Sequence, residues 1–250
     1  MYQKARQDAI LEILKKEGYL SVQYLTETLH YSTATINRDL NLLKKRGLIK
    51  RSYGGVELVE QHEVQLPFRY HRMKREKRMI GHTAVGFVKP GETIFLDAST
   101  TTQSMAQYLA EIEGIRVVTN NLAVVMYLSE RGVSVVCLGG EISEKPSMLN
   151  GEETVLNAMR YHADKMFFAS GSVSEDGKIG GGIYNLLHLT MAENSDEIYY
   201  LADHDKVGQP ADRYLFHFDR VTCVISDYEF SEEVQEKFPE TLFVLAARGE

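Results

Sequence analysis

The first sixty residues repeat apolar positions with the period of short amphipathic helices. A first helix over residues 5–16 ends at Gly18, a second is capped by Ser21, and a third runs from the capping residue Ser32 to about Arg46. A tight turn separates the second helix from the third. This arrangement predicts a helix-turn-helix.

The third helix has one apolar and one polar face. At about 100° per residue, Ile36, Leu40 and Leu43 fall on the same side and are expected to face the core. The first turn and the opposite face carry side chains that suit base edges in a major groove or, at the far end, phosphates: Ser32, Thr33, Ala34, Thr35, Asn37, Arg38, Asn41 and Lys45. The pattern therefore predicts a recognition helix.

Two short β-prone runs follow this helix and flank a Tyr-Gly-Gly turn. They predict a hairpin, or wing, with Lys50 and Arg51 at its base and Tyr53 and Gly54 in its turn. We expect these residues to press on the sugar-phosphate backbone of double-stranded DNA. Three amphipathic helices alone would also suit a protein–protein module, and the wing favours DNA.

From Gly91 onward, short apolar runs alternate with segments of helical length. We expect strands at 93–96, 117–118, 133–138, 166–169, 198–201, 221–225 and 242–245, with helices at 102–112, 122–130 and 152–161. This alternation predicts an α/β fold with a doubly wound, mostly parallel sheet. The predicted domains are a winged helix-turn-helix at 1–58, a basic linker at 59–78 and the α/β domain at 79–250.

Ligands of such sheets bind beyond the carboxyl ends of the strands, where this sequence is polar or rich in glycine. Asp97 follows the first strand, and the hydroxyls and backbone N–H groups of Ser99, Thr100, Thr101 and Thr102 open a helix, which suits a phosphate. Other strand ends carry Thr119, Asn120, Gly139, Gly140, Gly151, Asp203 and Lys206. Asp203 offers a carboxylate for hydroxyls, and Lys206 offers a cation for a phosphate. Residues 178–182 are expected to form a mobile loop.

The charge distribution also separates an N-terminal segment from the rest of the chain. The overall charge is −7, yet residues 1–80 carry 16 Lys and Arg against 9 Asp and Glu, a balance of +7. The remainder carries 12 basic and 26 acidic residues, a balance of −14. An acidic body with a basic N-terminal segment indicates a polyanionic partner at that end only.

Several other classes of protein are disfavoured. The apolar runs are strand-sized, and the first ten residues are polar, so we expect no membrane partner and a cytoplasmic location. No dinucleotide fingerprint or paired metal-ligand spacing is present, which predicts no cofactor and no metal site. Cys137 and Cys223 lie in apolar runs and are expected to act as small hydrophobic residues.

The helix-turn-helix segment resembles the N-terminal signature of the DeoR family of bacterial transcriptional regulators. That family shows a Ser-x-x-Thr-Ile-Arg-Arg-Asp-Leu helix and an Arg-x-x-Gly-Gly wing, and this chain matches at Ser32, Thr35, Ile36, Arg38, Asp39, Leu40, Arg51, Gly54 and Gly55. It departs at Asn37, where the family usually has arginine. Asn37 keeps hydrogen-bonding capacity without the charge, so an operator sequence does not carry over.

The resemblance extends into the second domain. DeoR-type sensor domains are similar to the ribose-5-phosphate isomerase and CoA-transferase fold, and this chain shows their ordered motif residues: Asp97, Ser99, Thr100, Thr101, Thr119, Asn120, Gly139, Gly140, Gly151, Asp164, Asp203 and Lys206. The resemblance implies a phosphorylated sugar effector. Its phosphate would lie on Ser99–Thr102, Asp97 and Asp203 would hold hydroxyls, and Lys206 would neutralise charge.

These observations predict a sequence-specific transcriptional regulator, a repressor of a carbohydrate-utilisation operon, that works as a homodimer or a higher homo-oligomer. The alternative is an enzymatically active sugar-phosphate isomerase-like domain fused to a DNA-binding module. Asp97, Asp203 and Asp205 would supply a general base for that chemistry, and the sequence leaves the alternative open. Fusion to a DNA reader favours a sensor that retains its ligand.

Overall fold

The chain divides into two compact units, Met1–Arg72 and Met73–Glu250. A computed structural model describes residues 3–45, 49–52, 55–58, 73–142, 147–181, 185–209, 211 and 213–246. The predicted wing residues Tyr53 and Gly54 and most of the predicted linker lie outside these described residues.

The first unit is a helix-turn-helix followed by a hairpin, as predicted. Its elements are α1 (Gln3–Glu17), β1 (Leu20–Ser21), α2 (Val22–Leu29), α3 (Thr33–Lys45), β2 (Ile49–Ser52) and β3 (Gly55–Leu58). Strand β3 pairs antiparallel with both β1 and β2. Ser21 caps α2 by accepting the N–H of Tyr24 at 3.0 Å, and His30 makes the turn to α3 with a left-handed φ of 56°.

The core of the first unit is small and fully apolar at its centre. Ile10 and Leu14 of α1 pack with Leu25 of α2 and with Ile36 and Leu40 of α3. A partly buried ionic contact fixes α1 against α3, because the buried carboxylate of Asp39 accepts hydrogen bonds from Arg6 and, at 3.3 Å, from Gln7. Asp39, part of the family signature, thus has a structural role here.

The second unit is a three-layer α/β fold. Its elements in chain order are α4 (Lys74–Val85), β4 (Thr93–Leu96), α5 (Thr100–Gln103), α6 (Ala106–Leu109), β5 (Arg116–Thr119), α7 (Leu122–Ser129), β6 (Ser134–Cys137), β7 (Glu141–Ile142), β8 (Leu149–Asn150), α8 (Glu152–Ala158), β9 (Ala163–Ala169), β10 (Lys178–Gly180), α9 (Asn185–Glu193), β11 (Ser195–Ala202), β12 (Tyr214–His217), β13 (Cys223–Ser226), α10 (Glu232–Lys237) and β14 (Leu242–Leu245).

All seven predicted strands join one parallel sheet in the order β14-β13-β11-β9-β4-β5-β6. Its central strands are apolar on both faces because helices cover both sides. Phe95, Phe168 and Tyr200 point to one core, while Ile94 and Phe167 point to the other. The predicted fold class is confirmed, and the carboxyl ends of β11, β9, β4 and β5 lie side by side at one edge.

Three local predictions differ from the structure. Residues 178–180, predicted as part of a mobile loop, form β10 and pair with β12, with Ile179 fully buried. The predicted helix at 102–112 is interrupted at Ser104, whose Oγ lies 2.6 Å from the carbonyl oxygens of both Thr101 and Lys77. Cys137 is exposed on the edge strand β6, whereas Cys223 is buried.

The second unit also begins earlier than predicted, because α4 starts at Lys74, within the expected linker. Its buried face includes Lys77, Ile80, Gly81 and Ala84. At Gly81 a Cβ would lie 2.3 Å from Ser104 Oγ, so the close approach of the two segments requires glycine there. None of the helices in the described part of the chain is long and apolar enough to span a bilayer.

Candidate nucleic-acid interface and ligand site

The predicted recognition face of α3 is open to solvent. Ser32, Thr33, Ala34, Arg38 and Asn41 are exposed, and Thr35 and Asn37 are half-buried. The opposite residues Ile36, Leu40 and Leu43 are buried, as predicted. Ser32 and Thr35 share a hydrogen bond of 2.9 Å between their hydroxyls at the helix start, so both also shape the N-cap.

Arg51 of β2 is bonded to α3, a relationship that spacing in the sequence does not indicate. Its Nη1 donates to Asn41 Oδ1 at 2.7 Å, and its Nη2 donates to Asn37 Oδ1. A guanidinium only donates, so both asparagines accept through oxygen and keep their Nδ2 hydrogens for other partners. The base of the wing and the recognition helix therefore form one polar surface.

The remaining predicted DNA-contact residues of the wing and the helix are described only in part. Lys50 is exposed on β2 beside Arg51. Lys45 is the last residue of α3, and its side chain is not among those described. The exposed Lys44 and Lys50 and the half-buried Arg51 are the described basic groups near this end of α3 and the wing.

In the second unit, Asp97 is the centre of the predicted ligand site. It follows β4 and is buried, and its Oδ1 accepts the Ser99 N–H at 3.1 Å and the Thr102 hydroxyl at 2.7 Å. Its Oδ2 accepts the Ala169 N–H at 3.3 Å and the ring Nε2–H of His188 at 3.2 Å. Four donors from β9, α9 and the turn after β4 thus hold one carboxylate.

These contacts govern the ionisation of Asp97. Burial alone would raise the pKa of Asp97, but the hydrogen bond and charge of His188, with the hydrogen bonds from Thr102 and Ser99, lower it below its ordinary value. The carboxylate is therefore ionised at neutral pH, and its role is to organise the turn that follows β4.

The turn at Ser99–Thr102 is an N-cap, as its composition predicts. Ser99 Oγ accepts the Thr102 N–H at 3.1 Å, and the hydroxyls of Ser99 and Thr102 lie 2.8 Å apart. Thr100, Thr101 and Thr102 are all buried in this short helix. The hydroxyls of Ser99 and Thr102 are engaged within the turn, so its candidate anion-binding groups are the hydroxyls of Thr100 and Thr101 and the backbone N–H groups of the first turn.

Thr119 is the last residue of β5, and Asn120 follows it, beside this turn. The hydroxyl of Thr119 accepts the N–H of Asn121 at 3.0 Å, so Thr119 shapes the start of α7. Asn120 Nδ2 donates to the carbonyl of Leu149 at 2.9 Å, which joins the β5 loop to β8. Asn120 is almost fully buried, and its Oδ1 has no hydrogen-bond partner among the described residues.

The predicted glycines fit tight backbone positions around β8 and α8. Gly139, Gly140 and Gly151 have φ values of 72°, 110° and 113°, which favour glycine. At Gly140 a Cβ would lie 2.0 Å from Thr154 Oγ1 and 2.5 Å from the carbonyl oxygen of Asn150. Gly140 thus permits the loop after β6 to lie directly against the start of α8.

Asn150, which the sequence analysis did not single out, lies between these glycines and α9. It is buried, and neither Oδ1 nor Nδ2 has a partner in the part of the chain that the structure describes. It lines a cavity of about 460 Å³ whose other walls are mostly apolar, with Val155, Leu186 and Leu187 among them. No strand-end pattern identified Asn150, because β8 is a two-residue strand.

Asp203 and Lys206 lie after β11, as predicted. Asp203 is 1% exposed, and both of its carboxylate oxygens are without a hydrogen-bond partner among the described residues. Lys206 is half-buried in the following 3₁₀ turn, and its N–H donates to the carbonyl of Asp203 at 2.9 Å. The neighbouring His204 instead bonds Asp227, and Asp164 accepts the N–H of Thr93 at 2.8 Å at the other end of the sheet.

His188 is the second residue that the sequence analysis missed. It projects from α9 toward Asp97, and its Nδ1 is buried without a partner among the described residues. Its ring lies 6.0 Å from that of Phe168 in an edge-on contact. The sequence pattern indicated candidates at predicted strand ends, whereas His188 lies within a helix. Among the described residues, no group of three His, Cys, Asp or Glu side chains is placed to hold a metal ion.

An exposed polar helix beside a wing, joined in one chain to a parallel α/β unit with a polar site at its strand ends, defines a ligand-responsive DNA-binding regulator. Comparison with known families agrees. Residues 6–62 match the DeoR-like helix-turn-helix domain, and residues 72–228 match the DeoR C terminal sensor domain. The chain belongs to the DeoR family of transcriptional regulators, so it is a regulator rather than an enzyme.

Similar proteins align along nearly their whole length. The HTH-type transcriptional repressor GlcR of Bacillus subtilis is 29% identical, with 91% of this chain and 89% of GlcR covered. The glycerol-3-phosphate regulon repressor of Escherichia coli is 30% identical, with 91% and 92% covered. The lactose phosphotransferase system repressor of Staphylococcus aureus is 28% identical, with 94% and 96% covered.

Solved structures show a more distant similarity. Ribose 5 phosphate isomerase A from Neisseria gonorrhoeae is 18% identical over 52% of each chain, with a TM-score of 0.39. The similarity at this level carries no information about activity or ligand.

Proposed function

We propose that this regulator represses a carbohydrate-utilisation operon and that a phosphorylated sugar, bound at the strand ends of the second unit, changes its affinity for operator DNA. The observation that carries the proposal is the burial of polar groups that have no hydrogen-bond partner among the described residues. Asn120 and Asp203 lie at the sheet edge that also carries the Ser99–Thr102 turn, and Asn150 lies in β8, which Asn120 contacts through the carbonyl of Leu149. Buried polar atoms without partners cost free energy, so such a cluster is typical of a ligand site.

The site divides into two chemical parts. The hydroxyl of Thr100 and the first-turn N–H groups at Thr100 and Thr101, with Lys206, suit the phosphate, because hydroxyl and N–H donors at a helix start and an ammonium group all favour an anion. Asp203, Asn120 and Asn150 suit the hydroxyls of the sugar, and Gly139, Gly140 and Gly151 bring backbone close to it. Asp97 holds the phosphate turn in shape through Ser99 and Thr102.

On the DNA side, Arg38, Asn37 and Asn41 contact base edges, and Thr33, Ala34 and Thr35 pack near the groove floor. Lys45, Lys50 and the wing residues Tyr53 and Gly54 contact the backbone, while Ser32 caps the helix. Support comes from the exposure of the α3 face and from the +7 balance of residues 1–80. Binding chromosomal DNA places the regulator in the bacterial cytoplasm.

The regulator acts as a homodimer or a higher homo-oligomer, so that two recognition helices reach two half-sites. Leu156 of α8, Met159 just after α8 and Leu186 of α9 are 50%, 55% and 62% exposed, and we assign this apolar patch to subunit contact. Met159→Glu should then lower the mass measured by light scattering, with the exposed Arg160→Glu as the matched control. An unchanged mass for Met159→Glu removes the patch from the interface.

The effector proposal is tested by a thermal-shift screen of sugar phosphates on wild type and on Thr100→Val/Lys206→Met. A ligand at 100 times its Kd stabilises the folded state by about 2.7 kcal/mol, enough for a shift of a few degrees. We expect wild type to respond, and the double variant to lose the response while still binding DNA. A double variant that responds like wild type would move the phosphate away from this turn.

A further inference from the structure

Most of the unpartnered atoms of the proposed ligand site are hydrogen-bond acceptors. In the second unit, six buried side-chain atoms have no hydrogen-bond partner among the described residues: Asn120 Oδ1, Asn150 Oδ1, Asn150 Nδ2, His188 Nδ1, Asp203 Oδ1 and Asp203 Oδ2. Asn120 follows β5, Asp203 follows β11, and Asn150 is the last residue of β8. His188 reaches the strand-end edge from α9 through its contact with Asp97. The oxygens on Asn120, Asn150 and Asp203 are acceptors.

Whether His188 Nδ1 donates or accepts a hydrogen bond depends on the proton at Nε2, which contacts Asp97. Asp97 accepts hydrogen bonds from Ser99, Thr102 and Ala169 in addition to His188, so it acts as an ionised acceptor throughout. An ionised carboxylate requires a proton on His188 Nε2. In the neutral ring Nδ1 is then an acceptor, since only one ring nitrogen carries hydrogen.

When the His188 ring is neutral, five of the six unpartnered atoms are acceptors, and only Asn150 Nδ2 is a donor. A phosphate group cannot satisfy them, because its oxygens also accept, and the Asp203 carboxylate repels it. Hydroxyl groups can, because each donates one hydrogen bond. Five acceptors need four or five hydroxyls, with one carboxylate oxygen at most left to water.

We propose that the effector of this regulator is a phosphorylated hexose or hexitol with at least four free hydroxyls, and that His188 is a specificity-determining residue that accepts one of them through Nδ1. The proposal rests on the proposed function and deepens it. It excludes glycerol 3-phosphate as the effector, since two hydroxyls would leave three of the five buried acceptors unpartnered, at a cost in affinity.

The first test compares ligands by titration calorimetry on the full chain. The probes are inorganic phosphate, glycerol 3-phosphate, ribose 5-phosphate, the 6-phosphates of glucose, galactose, mannose and fructose, glucitol 6-phosphate and mannitol 1-phosphate. We expect at least one six-carbon probe to bind tenfold or more tighter than glycerol 3-phosphate. Glycerol 3-phosphate or ribose 5-phosphate binding as tightly as the best six-carbon probe overturns this inference alone. Binding of none overturns it together with the proposed function.

The second test isolates Nδ1 of His188. In His188→Gln the side-chain amide reaches the position of Nε2, so the variant can still donate to Asp97 but has no acceptor at the Nδ1 position. In His188→Asn the amide lies near the Nδ1 position and the contact with Asp97 is lost. We expect His188→Gln to keep the melting temperature and bind the best probe about tenfold more weakly, and His188→Asn to bind it more tightly than His188→Gln.

Singly deoxygenated analogues of the best probe separate recognition from a structural role. For the analogue that lacks the hydroxyl accepted by His188, wild type and His188→Gln should bind equally, because the contact is already gone. A purely structural histidine would instead weaken every analogue alike. Equal losses across all analogues, or no loss in His188→Gln, overturns the assignment of His188.

Discussion

Arg51 Nη1 donates a hydrogen bond of 2.7 Å to Asn41 Oδ1, which ties the first strand of the wing to the exposed face of the recognition helix. The same guanidinium bonds Asn37 Oδ1. Both amides are thereby oriented with their Nδ2 hydrogens available to DNA. Because this chain has asparagine where the DeoR family usually has arginine at position 37, the clamp bears directly on which bases the helix reads.

Replacement of Arg51 should therefore change specificity as well as affinity. In Arg51→Ala the amides of Asn37 and Asn41 are free to rotate, and we expect a loss of about 1–3 kcal/mol in discrimination between operator and mutated sites. Lys50→Ala, the neighbouring exposed control, should weaken all DNA sequences similarly. Competition binding with operator and random duplexes measures both effects. An unchanged specificity ratio in Arg51→Ala would show that the clamp has no part in reading bases.

Arg38 is exposed on the same face and is expected to read a base edge. Arg38→Ala should lower operator affinity by about 1–3 kcal/mol and leave random DNA within a few tenths. Lys44→Ala, exposed near the end of the same helix, should weaken both and flatten the salt dependence. Binding curves at several salt concentrations distinguish the two. If Arg38→Ala and Lys44→Ala behave alike, Arg38 contacts phosphate instead.

The buried carboxylate of Asp39 makes the first unit sensitive to loss of Arg6. Arg6→Met removes the guanidinium partner of a carboxylate that is 1% exposed, and we expect a loss of about 3–5 kcal/mol in the free energy of unfolding. Urea unfolding followed by circular dichroism measures it, with the exposed Asp8→Ala as the control. A loss under about 1 kcal/mol would show that the pair is not needed to hold α1 on α3.

We expect the stabilising contribution of Asp97 to the second unit to be lost at acid pH. Its pKa is lowered in the folded state, so its contribution to stability is fully present above its unfolded pKa of about 3.9 and is lost as the pH falls through the folded pKa. Asp97→Asn should be less stable than wild type at pH 7, with the gap narrowing below about pH 4. Melting temperatures from pH 7 to pH 3 test this. A gap independent of pH would contradict an ionised Asp97.

The fold was predictable because the information is local. Alternating apolar runs such as 93–96 and 198–201 indicated buried parallel strands, and the faces of α3 followed from its period. Helix boundaries were less predictable where a distant contact decides them. Ser104 ends a predicted helix because it meets Lys77, and Gly81 allows that approach. The spacing of apolar residues in the two segments indicates neither the contact of Ser104 with Lys77 nor the close approach at Gly81.

The ligand site was predictable only in part, for the same reason. Asp97, Asn120 and Asp203 follow strands, so their sheet position identified them. His188 and Asn150 lie on a helix and a two-residue strand, and only tertiary packing brings them to the site. The hydroxyls of Ser99 and Thr102 fit a phosphate by composition, yet in the structure they are engaged with each other and with Asp97.

A sugar phosphate bound in the second unit should control DNA binding by the first. The direct measurement is fluorescence anisotropy of an operator duplex, selected from a random pool with the full chain, titrated with and without the tightest sugar phosphate at saturation. A coupling of about 1–3 kcal/mol predicts a shift of the midpoint by roughly 5- to 150-fold. Asp203→Asn, which weakens the ligand site, should need more ligand for the same shift. A binding curve that does not move with saturating ligand would contradict the account.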